Sequence, residues 1–356
     1  MRPILTVEAA LAAAARTAGI IAAAVLTVSV LAAAAMAAAA ATATTAAAAA
    51  APTSASDGAA AARNVVIDGT GVYPESLSSL PDGTLYIGSV TGIIYRAAAG
   101  RTRAKPWIRR SPRNHLLSIF GVLADPRTHS LWVCSSPAKL PGGVAEGTSS
   151  VVRFDLATGA ELGRWPLPSR GAVCDDITFA PDGTAYVNDI ASGEILTLAP
   201  GAKSLAVLVR DPTLKGIDGI ACAADGTLYA DNITTNQLLR VNRGPSGRFT
   251  GLTRLTPSMR INGPDGLRLI GGNRFALAEG RSGRIDEVTI QGDRAIIRVL
   301  RRGLASPAGV TVVGATVYAA DGKIMYLFDP RLKGKRPGPF IVHAIPIRAV
   351  RLHSGR

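Results

Sequence analysis

One unit of about 26 residues recurs six times in this chain, and that repeat restricts its fold more than any other feature. The best copy, Val173–Leu198, reads VCDDITFAPDGTAYVNDIASGEILTL. An apolar segment, Ile177 to Ala180, follows two acids. Pro181-Asp182-Gly183 then turns the chain into a second strand, Thr184–Val187, and Ser192-Gly193 turns it into a third. These turns suit hairpins, because Gly supplies positive φ and Asp bonds locally to the backbone. Three strands are too few to fold alone, so each copy must pack on its neighbours.

The other copies are Val72–Ala97, Phe120–Leu156 (interrupted by a long insertion), Gly216–Val241, Gly263–Ile290 and Ser306–Phe328. With Glu75, Gly121, Asp175, Asp218, Asp265 and Ala308 as equivalent points, the spacings are 46, 54, 43, 47 and 43 residues. A period of roughly 40–50 residues with several strands per copy is the signature of a β-propeller. The chain is therefore expected to be all-β, a six-bladed propeller with four-stranded antiparallel blades. The fourth strands fall between copies, as at Leu205–Val209 and Ala295–Leu300. The ring must close on itself to leave no free sheet edge. Asn64–Asp68 is the preferred outer strand of blade six, with Phe340–Ile347 as the alternative.

In such a blade the first strand lines the central channel, so the residues that open it gather at one mouth. Four copies place a carboxylate there: Glu75, Asp175 (followed by Asp176), Asp218 and Asp265. Converging carboxylates repel and raise one another's pKa unless a cation joins them. All-oxygen ligands from several segments suit a hard divalent cation, Ca²⁺ first, with Mg²⁺ or Zn²⁺ as alternatives. Asp82, Asp182 and Asp225 have a different role, since they recur in the hairpin turns and are explained by turn chemistry.

The segments Pro74-Glu75-Ser76, Cys174-Asp175-Asp176-Ile177, Ile217-Asp218-Gly219-Ile220 and Pro264-Asp265-Gly266-Leu267 resemble the channel motifs of the gluconolactonase/regucalcin (senescence marker protein) family, and more distantly the paraoxonases. The resemblance covers about residues 64–330. It implies a divalent cation held by one Glu, two Asn and one Asp, and hydrolysis of a lactone or similar small ester. Glu75 matches the Glu and Asp265 the Asp, whereas Asp175 and Asp218 stand where the family has Asn. The resemblance further implies Lewis-acid activation of the carbonyl, with Asp265 or another of the ligating carboxylates as general base for an attacking water. His115, ahead of blade two, is a candidate proton shuttle. The Gly-rich segment Pro141–Ser150 is either a lid over a channel mouth or a disordered loop. Asn188, Asn232 and Asn262 are nearby sources of neutral oxygen. The competing reading is a non-catalytic propeller that binds a ligand or protein, with a structural cation or none. No Gly-x-Ser-x-Gly elbow or His-Glu-x-x-His motif is present, which removes two other hydrolase classes.

The region before the repeats reads as an export segment over residues 1–41, with an apolar run Gly19–Ala41 and small residues around Ala35-Met36-Ala37 for cleavage. An uncleaved membrane anchor is the alternative. Residues 42–63 form an Ala/Thr/Ser-rich linker, and residues 64–356 the propeller. The expected location is periplasmic or secreted, and the expected state a monomer. A net charge of +14 invites a nucleic-acid reading, but the arginines are scattered. The dense runs Arg101–Arg113 and Arg331–Arg336 lack the interleaved aromatics of a single-strand groove, so no nucleic-acid partner is expected. Cys134, Cys174 and Cys222 have no metal-site spacing and read first as small buried hydrophobes, although one pair could form a disulfide.

Overall fold

The hairpin turns form as their residue types require. Asp82, Asp182 and Asp225 each accept a hydrogen bond from the amide two residues on, at 2.8, 2.9 and 2.8 Å from Thr84, Thr184 and Thr227. The glycine that follows each Asp takes φ near +90°. In the computed structural model, which describes residues 62–140 and 142–347, these hairpins build six blades. The export segment and nearly all of the linker lie outside the described residues, as do Pro141 and residues 348–356.

Blade one comprises Pro74–Ser79, Leu85–Ser89, Ile93–Ala97 and Arg103–Arg109. Blade two comprises Ser118–Asp125, Ser130–Ser136, Ser150–Asp155 and Glu161–Pro166. Blade three is Cys174–Phe179, Ala185–Asp189, Glu194–Leu198 and Ala206–Arg210. Blade four is Ile217–Cys222, Leu228–Asn232, Gln237–Arg243 and Phe249–Arg254. Blade five is Pro264–Gly271, Arg274–Glu279, Arg284–Gln291 and Arg294–Arg302, with Thr256–Pro257 added in parallel at its edge. Blade six is Pro307–Val313, Thr316–Asp321, Phe340–Pro346 and Val65–Ile67. Successive strands within every blade are antiparallel.

The ring closes with both candidate segments at once. Phe340–Pro346 is the third strand of blade six and Val65–Ile67 the fourth, paired as Val65↔Val342 and Ile67↔Phe340. The sixth copy differs from expectation here. Its Met325–Phe328 portion forms a short helical turn instead of the third strand, which arrives only after a Pro- and Gly-rich excursion. Val65–Ile67 also pairs in parallel with the outer strand of blade one.

The core is divided among the blade interfaces. Among the described residues, six buried apolar clusters each join two adjacent blades. One example joins Val65, Phe340 and Val342 of blade six to Leu77, Leu85 and Ile87 of blade one. Burying each such side chain stabilises by roughly 1.5–3 kcal/mol, so the ring is held by blade-to-blade packing. Inner strands approach closely enough for direct side-chain-to-backbone bonds. Val122 N donates to Ser76 Oγ at 2.7 Å, and Ile220 N to Asp176 Oδ2 at 3.1 Å.

That proximity requires small residues. A methyl group on Gly309 would lie 2.6 Å from the Ser76 carbonyl carbon, where blade six meets blade one. Gly309→Ala is therefore expected to lower unfolding free energy by about 3 kcal/mol in urea titrations. Gly71→Ala, with nothing within 4 Å and no positive φ, should change it little.

Candidate functional site at the channel mouth

The inner strand of every blade is irregular at the same place. Its pairing with the second strand shifts register between Pro74 and Ser76, Ile119 and Gly121, and Cys174 and Ile177. The same occurs between Ile217 and Ile220, Pro264 and Leu267, and Pro307 and Val310. A bulge releases a residue from the ladder and re-aims its side chain. The residues released include Glu75, Phe120, Asp175, Asp218, Asp265 and Ala308. Blade two therefore offers Phe120 at this address, and Gly121 belongs one position later with Ser76, Asp176, Gly219, Gly266 and Gly309. Close contacts follow that corrected register: a methyl on Gly121 would meet Asp176 Cα at 3.0 Å, as one on Gly266 would meet Gly309 Cα at 3.2 Å.

Glu75, Asp175, Asp218 and Asp265 line one small cavity of about 20 Å³, together with Phe120. Asp175 and Asp218 are buried, whereas Glu75 and Asp265 are half-buried. Burial, and then the charge of Asp218, pushes the Glu75 carboxyl up to about 8. Burial and then Asp176 raise Asp218 to about 7, against hydrogen bonds with Asp175 and Asp265 that lower it. Burial, followed by the charges of Asp218 and Glu75, holds Asp175 and Asp265 well above the usual carboxylate range. Carboxyl groups hydrogen-bond to one another only by sharing protons. With no cation, the cluster is thus a proton-holding one.

Two flanking groups were not identified from the sequence. Arg268 of blade five grips Asp176 of blade three through both terminal guanidinium nitrogens, at 2.6 and 2.7 Å. Arg268 sits four residues beyond the start of its strand, where no repeated acid drew notice to it. Asp231 accepts a hydrogen bond from Gly219 N at 3.2 Å, and its carboxyl is also held well above the usual range, by burial and then Asp218. The asparagines serve the scaffold. Asn188 accepts from Asp176 N and donates to the backbone carbonyls of Ile217 and Asp218, joining blades three and four. Asn232 accepts from the amides of Thr234 and Thr235 in a turn. For Asn262, a backbone donation to Glu279 is found.

Above the carboxylates lies an apolar pocket of about 300 Å³. Val90, Phe120, Leu140, Ile233, Met325 and Phe328 supply its walls, and Glu75 and Asp265 belong to it as well as to the small cavity. The helical turn that replaced a strand in blade six thus contributes two exposed apolar side chains to the mouth. His115 is not among the residues of either cavity. It is exposed and lines a separate cleft with Arg110, Glu146 and Arg164. Of the segment Pro141–Ser150, whose first residue is not described, Glu146, Gly147, Thr148 and Ser150 line that same cleft.

The four carboxylates suit a hard cation in donor type, charge and convergence, and Glu75 Oε2 is buried with no hydrogen-bond partner. Their side chains are not positioned as a closed chelate. Among the described residues no group of three His, Cys, Asp or Glu is arranged to hold a metal ion. A cation here would replace shared protons.

No protein family profile matches the chain, and no curated protein matches it by sequence. Solved structures do match in fold. A catalytically inactive virginiamycin B lyase from Staphylococcus aureus with quinupristin is 16% identical with a TM-score of 0.53, covering 77% of this chain and 81% of its own. The PQQ-bound aldose sugar dehydrogenase of Streptomyces coelicolor is 17% identical with a TM-score of 0.53, over 80% and 97% of the two chains. A putative glucose dehydrogenase from Thermus thermophilus is 19% identical at 0.53, over 79% and 99%. At these identities the likeness concerns the propeller architecture, and a particular family within it is not singled out.

Proposed function

We propose that the channel mouth is the active site of a hydrolase that opens a lactone or related small ester, with a divalent cation, Ca²⁺ first, held by Glu75, Asp175, Asp218 and Asp265. One observation carries this reading: Glu75 and Asp265 are shared by the carboxylate cavity and the apolar pocket above it. A small ester with its body among Phe120, Leu140, Ile233 and Phe328 would present its polar end to those two acids. The bound cation would supply Lewis-acid polarisation of the carbonyl and offset negative charge on its oxygen. Asp265, in its carboxylate form, would take the proton of the attacking water and give it to the alkoxide oxygen released as the acyl C–O bond breaks. Asp176 and Arg268, locked together, would hold the inner strands of blades three and five in position. The resemblance of the channel motifs to the gluconolactonase family supports the same chemistry, and quinupristin and PQQ are small-molecule ligands of propellers of this architecture. The Cys134–Cys174 disulfide supports an exported protein, since such bonds persist in oxidising compartments.

A lactone panel assayed with Ca²⁺ and with chelator tests the reading. Asp265→Ala should lower kcat/KM by about 10³-fold, since it removes both a base and a cation ligand. His115→Ala, in the separate cleft, should leave it within about twofold. Turnover that survives Asp265→Ala or chelation would remove the proposed site. The open placement of the carboxyls favours one competing reading, a non-catalytic pocket for a small apolar ligand. In that case the ligand would bind in chelator and no ester would turn over.

A further inference from the structure

The outer face of blade one carries four cations, of which one has an acid partner among the described residues. A cleft of about 800 Å³ is lined by Arg96, Arg101, Arg103 and Lys105, with Pro106 and Trp107 beside them. Arg103 is engaged by Asp68 at 2.5 Å, and the other three make no ion pair among the described residues. The arrangement is unfavourable for the free protein. Arg96 and Lys105 are directly opposed cross-strand partners, a placement in which like charges destabilise. Arg96 is also fixed in place: its guanidinium lies 5.8 Å over the Tyr86 ring and 5.6 Å over the Trp107 ring, and its Nε is buried without a hydrogen-bond partner. Arg103 and Lys105 alternate with the buried Ala104, so both project from the exposed side of their strand. A planar, pre-oriented guanidinium beside a flexible ammonium is the donor set that recognises clustered anionic oxygens.

We propose that this cleft binds a phosphate group, gripped by Arg96 and Lys105 with Arg101 at the rim. The site is separate from the channel mouth and shares no residue with it. Free phosphate and the phosphate of an anionic lipid headgroup present the same chemistry, and separate arms of one experiment distinguish them.

Full-length protein is titrated with inorganic phosphate, and in parallel with phosphatidylglycerol and phosphatidylcholine vesicles, at low and high NaCl. A change in tryptophan fluorescence reports the cleft, because Trp107 lines it whereas Trp132 and Trp165 lie in blade two. Saturable binding that weakens with salt is expected. Lys105→Gln, on an exposed side chain, should weaken binding about tenfold, and adding Arg96→Gln about tenfold more, while Arg302→Gln changes nothing. Thermal unfolding in chloride alone should show Lys105→Gln at least as stable as the wild type, because a like-charge contact is lost. Binding of inorganic phosphate would identify a small-anion site, and binding of phosphatidylglycerol vesicles alone a headgroup site. No saturable binding in any arm, or equal binding by the wild type and Lys105→Gln, would overturn the proposal.

Discussion

In the presence of chelator, the stability of this protein is expected to fall by several kcal/mol as pH rises from about 4.5 to about 8. Glu75 goes from 4.5 to about 8 and Asp218 from 3.8 to about 7 on folding, and Asp175 and Asp265 move in the same direction. Between the unfolded and folded values the native state binds more protons than the unfolded chain, so unfolding free energy decreases with rising pH. The contribution is complete below the unfolded values and lost as pH passes through the folded ones. Each unit of pKa difference corresponds to about 1.4 kcal/mol, and interacting carboxyls titrate as a set. Urea midpoints at pH 5 and pH 8 in EDTA would show the drop. Excess Ca²⁺ should remove most of it, because the cation replaces the protons that are lost. A profile that is flat in chelator would mean that the four acids do not share one buried space.

The second large effect concerns the covalent link beside the cluster. Cys134 in the second strand of blade two is bonded to Cys174, which opens the inner strand of blade three and immediately precedes Asp175. A cross-link between residues 40 apart restricts the unfolded chain by about 4 kcal/mol in the loop-entropy account. Cys134→Ala with Cys174→Ala should therefore lower unfolding free energy by about that amount, and reductant should lower the urea midpoint of the wild type but not of the variant. A loss under 1 kcal/mol would show that packing between blades two and three suffices. Cys222 is buried and unbridged, as the reading of the cysteines as small hydrophobes had it, and burial pushes its thiol up to about 11.

The repeat was legible because every blade must solve the same turn and core problem, which leaves the Asp-Gly turn in three copies and the apolar alternation in all. The convergence of Glu75, Asp175, Asp218 and Asp265 was legible for the same reason, since a shared position in a repeat is a shared position in space. The bulges were not. Each adds one residue without a marker, and this moved the blade-two position from Gly121 to Phe120. Blade six was obscured because its third strand follows a long excursion, while the apolar residues that seemed to form it cover the channel mouth. Arg268 acts across blades, and a pairing of that kind leaves no periodic trace, while Asp231 lies on a second strand, away from the inner-strand address where the acids recur. The choice of Cys134 and Cys174 depends on the packing of neighbouring blades, which spacing alone does not specify. His115 stood near the repeats in sequence, but its loop leads to another cleft.

Calorimetric titration of the full-length protein with Ca²⁺ at pH 7, in two buffers of different ionisation enthalpy, reads out the proposed cation site among the four carboxyls. One ion should bind per chain with net release of protons, because ligands that carry shared protons must give them up. Asp218→Asn should reduce that release. Absence of binding at millimolar Ca²⁺, Mg²⁺ or Zn²⁺, or binding without proton release, would mean that the four carboxyls hold no cation.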